Sequence, residues 1–448
     1  MKLSKLAKTI FDDILSAGGE VYIVGGSVRD MLLKRHDSHD IDVEVYHMTY
    51  SSLYDVLKKY GNVNTYGKTF AIMSVDTLHG YDFALPRSEK KTGNLHTDFE
   101  VIIDPELPLE KAIQRRDLTM NALMYDYKNK AIIDLCNGVE DLQNKTIRCV
   151  NPTSFIEDPL RVLRIAQFVA RFEMYVEDET MDLCKEMVKQ GMLEHLSDER
   201  IYGEYCKILM SNRPSLGFEF LKEIGGLPPY LYELTKTHQR LDYHPEGDVF
   251  EHTMLVIDVA ALMKQKTDEP LSFMWACLLH DIGKPLVTTS EGSAPYHSSK
   301  GVDVFKNIKL IQSKKMRSYI ETMIMYHMNL MVMSRKNAPD HRYLRILKLI
   351  EGKVSLNDLI LISCCDKLGR GKVIYEQYHQ FWDYIQDKIE RLGTVPPVAL
   401  VGGHDLINHN FKDKSLYSEI LEEAYNMQLL GDDKETILRS LVNKYEQG

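Results

Sequence analysis

Cysteine is scarce and unpatterned in this chain. Its 448 residues hold 7 cysteines, at Cys136, Cys149, Cys184, Cys206, Cys277, Cys364 and Cys365. The number is odd and no CxxC pair occurs, which argues against a disulfide framework and against a zinc ribbon and points to the cytoplasm as the expected location. Long apolar runs are missing too. No window approaches 18 consecutive apolar residues, so a membrane span is not expected. A basic surplus is also lacking: the formal net charge is −10, so a nucleic-acid surface would have to be a local basic patch on an acidic body. There is no internal repeat and no low-complexity tract.

What remains is ordinary for a globular protein, with 44% hydrophobic and 27% charged residues. The length allows on the order of two to four domains. Near the N-terminus Leu3, Leu6, Ile10, Ile14 and Leu15 fall at helical spacing, and Asp12 and Asp13 interrupt any apolar stretch. The segment reads as a first helix ending at Gly18-Gly19 rather than a signal peptide. Residues 1 to 150 mix short strand-like runs (VYIVGG, DIDVEV, AIMSVD, YDFAL, AIIDL) with helices, an α+β pattern with one principal sheet. Residues 87 to 100, polar and containing Gly93, read as a mobile loop. From about Pro152 the strand signals cease, and amphipathic helices follow one another between breakers such as Asn212-Arg213-Pro214 and Pro396-Pro397. The expected division is 1–150, 151–235, a His-rich 236–385 and a tail, 386–448.

The stretch 21–45, VYIVGGSVRDMLLKRHDSHDIDVEV, organises the first part. Residues 21–24 predict a buried strand, Gly25-Gly26 a turn, and Ser27 the cap of a helix over about 28–33. A helix starting after a glycine turn aims free N–H groups at one spot, which suits phosphate oxygens. Residues 40–45 predict a second strand. Asp40 and Asp42, two apart, then face one way, as a pair of Mg²⁺ ions activating a hydroxyl and steadying a pyrophosphate requires.

Two more constellations follow. In Arg115-Arg116-Asp117-Leu118-Thr119-Met120-Asn121, helical spacing puts Asp117 and Asn121 on one face. Arginine forks match phosphates, and Asp and Asn suit ribose hydroxyls; a capped surface helix with solvated arginines is the plain alternative. In Glu157-Asp158-Pro159-Leu160-Arg161-Val162-Leu163-Arg164, Asp158 is a good N-cap and Pro159 suits the first helical position. Asp158 and Arg161, acceptor and forked donor, can read the edge of a base, or form only a cap with a local salt bridge.

In this order within 150 residues, the series GG…VRD…DxD, RRDxTxNA and EDPLRxLR resembles the class II tRNA nucleotidyltransferase and bacterial poly(A) polymerase superfamily. Two linking segments are similar to it as well: Ile133-Asp134-Leu135 with Gly138, Asp141-Leu142 and Ile147-Arg148, and Glu199-Arg200-Ile201 with Glu204 and Lys207. The resemblance spans residues 20 to 230. It implies a DNA polymerase β-like head with one mixed or antiparallel sheet, followed by an all-α neck and body. It further implies that Gly25, Gly26 and Arg29 hold the triphosphate, Asp40 and Asp42 bind Mg²⁺, and Arg116, Asp117 and Asn121 contact sugar and phosphates. Glu157, Asp158, Arg161 and Arg164 would form the nucleotide-binding helix, with Asp158 and Arg161 selecting CTP or ATP and Glu157 orienting Arg161. The loop 87–100 lies where the family has a flexible element linked to the change from C to A addition, and its Arg87, Lys90 and Lys91 read equally as a solvated charge run. Gln167 departs from the arginine that relatives commonly carry.

The later region holds His252, His280-Asp281 and Asp366, imidazole and carboxylate groups that suit Mn²⁺, Fe²⁺, Co²⁺, Ni²⁺ or Mg²⁺. H…HD…D in a helical setting resembles the HD metal-dependent phosphohydrolase family, which implies that these four are ligands of a divalent metal. His297 and His327 match weaker additional positions, and Lys284 suits a phosphate. The expected activity is addition of CCA to the 3′ end of tRNA from CTP and ATP, with an accessory phosphatase or 2′,3′-cyclic phosphodiesterase. The alternatives are CC-only or A-only addition, a poly(A) polymerase, and an HD phosphohydrolase whose head only binds RNA or nucleotide. The tail has many acidic residues where a poly(A) polymerase would more typically carry a basic extension.

Overall fold

The computed structural model describes every residue except 2, 36–39, 67–71, 92–98, 241, 243–246, 371–374 and 446–448. The chain forms two units, Met1–Leu227 and Pro228–Gly448.

The first unit is built on a mixed sheet of seven strands. Its members are β1 (Glu20–Val24), β2 (Ile41–Tyr46), β3 (Val63–Tyr66), β4 (Ile72–Val75), β5 (Tyr81–Ala84), β8 (Met124–Asp126) and β9 (Ala131–Ile133), in the order β3-β4-β5-β2-β1-β8-β9. β2 and β5 run parallel and every other neighbouring pair antiparallel. The period of two divides the sheet's faces. Val43 stands in register with Phe83, and the ring of Phe11 meets Phe83 edge-on at 6.1 Å and Tyr127 at 5.0 Å. The helix Lys5–Ser16, capped by Ser4 Oγ accepting from Ala7 N–H at 3.1 Å, therefore closes that face with Ala7, Ile10, Phe11 and Ile14. Tyr22, Val24 and Tyr46 face the other way, into a cluster with Ala112, Ile113 and Met124, and Asp42 and Glu44 lie on that face by the same alternation. The long helix Leu160–Phe172 carries a broad apolar stripe, with Val162, Leu163, Ile165, Ala166 and Val169 buried. It packs against Asp198–Leu209 and Pro214–Glu223.

Four sequence-based expectations need correction here. The helix after the glycine turn spans Gly26–Leu32, so Ser27 lies inside it rather than capping it. Residues 87–100 are not simply a loop: β6 (Arg87–Lys91) pairs antiparallel with β7 (Phe99–Ile103), and 92–98 lie outside the described residues. Strands do not end at Pro152, because β11 (Tyr175–Val176) pairs in parallel with β10 (Thr146–Ile147). Finally, Asp117 to Asn121 is not an α-helix. Leu118 bridges Cys149 in extended conformation, and only Thr119–Asn121 turns, as a 3₁₀ helix.

The described elements of the second unit are helices, apart from an isolated antiparallel bridge between His238 and Asp248. Val249–Met263, Pro270–Leu279, Lys314–Tyr326 and Leu356–Leu368 pack around Phe250, Phe273, Trp275 and Ile320, all fully buried. The tail helices Gly403–Asn408, Tyr417–Leu430 and Lys434–Tyr445 share a small core of Leu406, Ile420, Ala424, Ile437 and Leu441. No described helix is long and apolar enough to cross a membrane.

Candidate functional site

A cleft of about 640 Å³ in the first unit is lined by Gly25, Gly26, Arg29, Asp42, Arg116, Asp117, Asn121 and Arg164. Eight residues singled out from three separate motifs thus meet in one place. Gly25, at φ +73°, ends β1 and begins the helix, and a Cβ there would lie in ordinary contact with Asp42 Oδ2 at 3.5 Å and Arg116 Nη1 at 3.6 Å. The positive φ, rather than crowding, is what favours glycine at this turn.

A hydrogen-bonded chain fixes the cleft wall. Arg29, 4% exposed, donates from Nη1 to Asn121 Oδ1 at 2.6 Å and from Nε to Asp30 at 2.9 Å. Asn121 Nδ2 donates to Asp117 Oδ1 at 3.0 Å, and Arg164 Nε donates to Asp117 Oδ2 at 2.7 Å. Burial alone would raise the Asp117 carboxyl, but Arg164, Asn121 and the Leu118 N–H outweigh it and hold the group below the usual carboxylate range. Asp117 and Asn121 converge as expected, through a short 3₁₀ turn rather than an α-helix.

Asp40 precedes β2 and Asp42 lies within it, opposite Val24 on one side and Asp82 on the other. Asp42 keeps more than a third of its surface open, yet the surrounding protein desolvates its carboxyl. That desolvation, with repulsion from Asp82, Glu44 and Asp40, raises its pKa against the pull of Arg116. Asp82 is raised by desolvation and by Asp40. Carboxylates that repel one another and share one face fit a divalent cation.

Several site residues escaped the sequence reading. Asp82 belongs with Asp40 and Asp42. Glu44, buried, accepts from Arg115 Nη2 at 2.5 Å and Arg116 Nη2 at 2.9 Å and so aims both arginines; its spacing of two from Asp42 was the available signal. Arg35, Arg171 and Lys207 also line the cleft. Phe168 and Phe172 stack at 5.8 Å, and Arg29, Arg35 and Arg171 lie within 5.0 Å of the Phe172 ring centroid. Gln167 is buried in the same wall, so the cleft stays strongly cationic without an arginine there.

Asp158 and Arg161 stand apart. Neither lines the cleft, and among the described residues their side chains do not pair with each other, although the Arg161 N–H donates to the Asp158 carbonyl at 3.0 Å. Asp158 accepts from Arg200 Nη2 at 2.9 and 3.0 Å and from Leu160 N–H at 3.1 Å. Arg161 donates to the carbonyls of Ser154 at 2.9 Å and Arg115 at 2.6 Å. No ion pair joins Glu157 to Arg161 among the described residues.

The second unit holds a buried cluster of His252, His280, Asp281, His327 and Asp366, with His297 at its edge. His252 comes from Val249–Met263 and Asp366 from Leu356–Leu368. His280 and His327 cap the C-termini of Pro270–Leu279 and Lys314–Tyr326, and His297 opens His297–Asn307. His252 Nε2 lies 3.0 Å from Asp366 Oδ1, and His280 Nε2 lies 3.1 Å from Asp281 Oδ2. Burial opposes ionisation of both carboxylates. His280 and Lys284 nonetheless hold Asp281, and Arg370 and His252 hold Asp366, well below the usual range. Burial, then His280, lowers His327 to about 3. Ionised carboxylates gathered with imidazoles are a divalent-metal donor set, and Asp281's oxygens and His280 Nε2 are buried without an aligned hydrogen bond. Lys284 Nζ is engaged by Asp281 at 2.6 Å and Gln239 Oε1 at 2.7 Å.

The sequence matches the family models of the poly A polymerase head domain over residues 21–148, the probable RNA and SrmB-binding site of polymerase A over 173–236, and the HD domain over 249–352. A multifunctional CCA protein of Methylobacillus flagellatus is 41% identical over 281 residues, 62% of this chain and 64% of the relative, just under two thirds of its length. One from Pasteurella multocida is 32% identical over 425 residues, 90% of this chain and 94% of the relative. The structure of the Thermotoga maritima CCA-adding enzyme complexed with tRNA superposes with a TM-score of 0.59 at 21% identity, covering 99% of this chain and 96% of that one. On the strength of the match running nearly end to end, this chain belongs to the family of the multifunctional CCA proteins.

Proposed function

We propose that this protein adds C, C and A without a template to the 3′ end of tRNA, taking CTP and ATP and releasing pyrophosphate at each step. The observation that carries the reading is the meeting of the Gly25 turn, Asp42, Arg116, Asp117, Asn121 and Arg164 in one cationic cleft. Asp40, Asp42 and Asp82 would hold Mg²⁺, which supplies charge stabilisation to the attacking and leaving oxygens. Arg116, aimed by Glu44, and Arg164, aimed by Asp117, are placed to receive phosphate oxygens. Arg29 is tied to Asp30 and Asn121, so its part is to hold the wall that the triphosphate meets. Asp158 and Arg161 are the proposed base readers. Reading a base then requires Asp158 to release Arg200, and Arg161 to release the carbonyls of Ser154 and Arg115. Names of relatives agree with the reading: solved CCA-adding enzymes carry CTP, ATP or tRNA.

The second unit, in the same proposal, is a divalent-metal phosphohydrolase acting on phosphomonoesters or 2′,3′-cyclic phosphates, with His252, His280, Asp281 and Asp366 as ligands. The deciding experiment incubates the protein with tRNAs lacking A, CA or CCA and supplies each nucleotide separately. CTP addition stopping at CC, followed by one A from ATP, is expected. Addition limited to C or to A, or a run of A residues, replaces the reading with the corresponding narrower or poly(A) activity. No incorporation at all leaves the phosphohydrolase with a binding head.

A further inference from the structure

The helix Asp198–Leu209 carries a buried donor and a buried acceptor that are both unused. Arg200 Nη2 donates to the two oxygens of Asp158 at 2.9 and 3.0 Å, and Glu204 Oε1 accepts from Lys207 Nζ at 2.7 Å. The other end of each head group is idle: Arg200 Nη1 and Glu204 Oε2 are buried with no hydrogen-bond partner among the described residues. Four residues apart on one helix, the two side chains are neighbours. Glu204 is only 3% exposed, so water does little for its second oxygen.

Asp158 and Glu204 also meet at Arg164. Burial works against the Arg164 charge, and Asp117, then Glu204 and Asp158, raise its pKa. Both carboxylates therefore border one guanidinium of the helix Leu160–Phe172, which packs against Asp198–Leu209. An Arg200 that leaves Asp158 has an acceptor within one helical turn.

We propose that Glu204 is a positioning residue for base selection: it receives Arg200 when Asp158 turns to the edge of a CTP or ATP base, and so sets how readily Asp158 is freed. The inference rests on the reading of Asp158 as a base reader in a template-free nucleotidyltransferase. Stripping a partly buried guanidinium of its carboxylate is costly, and the open oxygen of Glu204 offsets that cost. Arg200 is then paired in both arrangements, which lets a base compete for Asp158. The amino groups of cytosine and adenine are donors that can replace a guanidinium on a carboxylate, whereas the carbonyls that uracil and guanine present there only accept.

The test is a double-mutant cycle on CTP incorporation into tRNA lacking CCA, with thermal melting as the check on folding. Glu204→Gln keeps the size of the side chain and removes the charge that receives Arg200. KM for CTP is expected to rise roughly tenfold with kcat nearly unchanged. Inhibition by inorganic pyrophosphate, which carries no base, should not move. Arg200→Ala frees Asp158 outright, so KM for CTP should fall below that of the parent, and adding Glu204→Gln to it should have no further effect. An unchanged KM in Glu204→Gln overturns the proposal. So does a rise that persists without Arg200, because Glu204 would then act through Lys207. Where Glu204→Gln does not fold, Arg200→Ala alone decides, and a KM unchanged or higher overturns the proposal. No incorporation by the unaltered protein overturns the polymerase reading and this proposal together.

Discussion

Arg164 Nε lies 2.7 Å from Asp117 Oδ2, and through that bond the helix Leu160–Phe172 is tied to the segment that follows the paired arginines. Asp117 is buried and Arg164 about one-third exposed. Asp117→Asn keeps the shape but weakens the grip on Arg164. The expected result is a loss of about 1–3 kcal/mol in stability and of ~10²-fold in kcat/KM for nucleotide incorporation, with the larger share in nucleotide affinity. Incorporation kinetics beside a urea melt check it. Full activity would mean that Arg164 does not need Asp117.

The pH behaviour of the cleft should follow Asp42 rather than Asp117. Asp117 is depressed below the carboxylate range, so it stays ionised from neutral pH down past the ordinary value of about 3.9. Asp42 is raised, chiefly by desolvation, so it gains a proton first as pH falls. Its affinity for cations should drop while the Asp117–Arg164 bond is still intact. The Mg²⁺ concentration for half-maximal incorporation is expected to rise as the pH falls from neutral toward the carboxylate range, with no change in melting temperature attributable to Asp117. A flat Mg²⁺ requirement across that range would remove Asp42 from the acid limb.

How much of this was legible in the sequence depended on how far each contact reaches along the chain. Asp40 and Asp42 are two apart, and the period of a strand was enough to single them out, whereas His280 and Asp281 were singled out by the resemblance of their motif to a known family. Asp82 needed the parallel pairing of β2 with β5, which no spacing within 41–46 reveals. Arg35 and Arg171 meet around Phe172 from sequence positions more than a hundred residues apart. The helical reading of Asp117 to Asn121 failed because the bridge from Leu118 to Cys149 holds the first half extended, a tertiary override of a local period. β6 was missed because RSEKK lacks alternating apolar residues, the signal by which a half-buried strand is recognised.

Asp82 offers a test in which stability and activity should part company. Its carboxyl adds repulsion to Asp40 and Asp42, a cost to the fold that makes sense only where a cation is bound. Asp82→Asn is expected to leave the melting temperature of the metal-free protein unchanged or higher. Incorporation should fall by roughly tenfold or more. Unaltered incorporation would make Asp82 a bystander of the carboxylate pair.

Gly283 packs against the helix His297–Asn307, which carries one histidine of the buried cluster in the second unit. A methyl group built there collides with the backbone of His297 and of Gly301, both rigid atoms of the helix His297–Asn307, so that helix must retreat. His297 opens the helix and sits 3.5 Å from Asp281 Oδ1, which makes it the first side chain of the cluster to be displaced. Gly283→Ala is therefore expected to cost about 1–3 kcal/mol in the second unit through overpacking and to weaken Mn²⁺ binding there. Addition of C and A by the first unit should continue at its original rate. Dialysis against Mn²⁺ and incorporation assays on the same preparation separate the two effects. Unimpaired Mn²⁺ binding would show that the helix His297–Asn307 can shift without taking a ligand with it, and parallel loss of incorporation would show that the change unfolds more than the centre it touches.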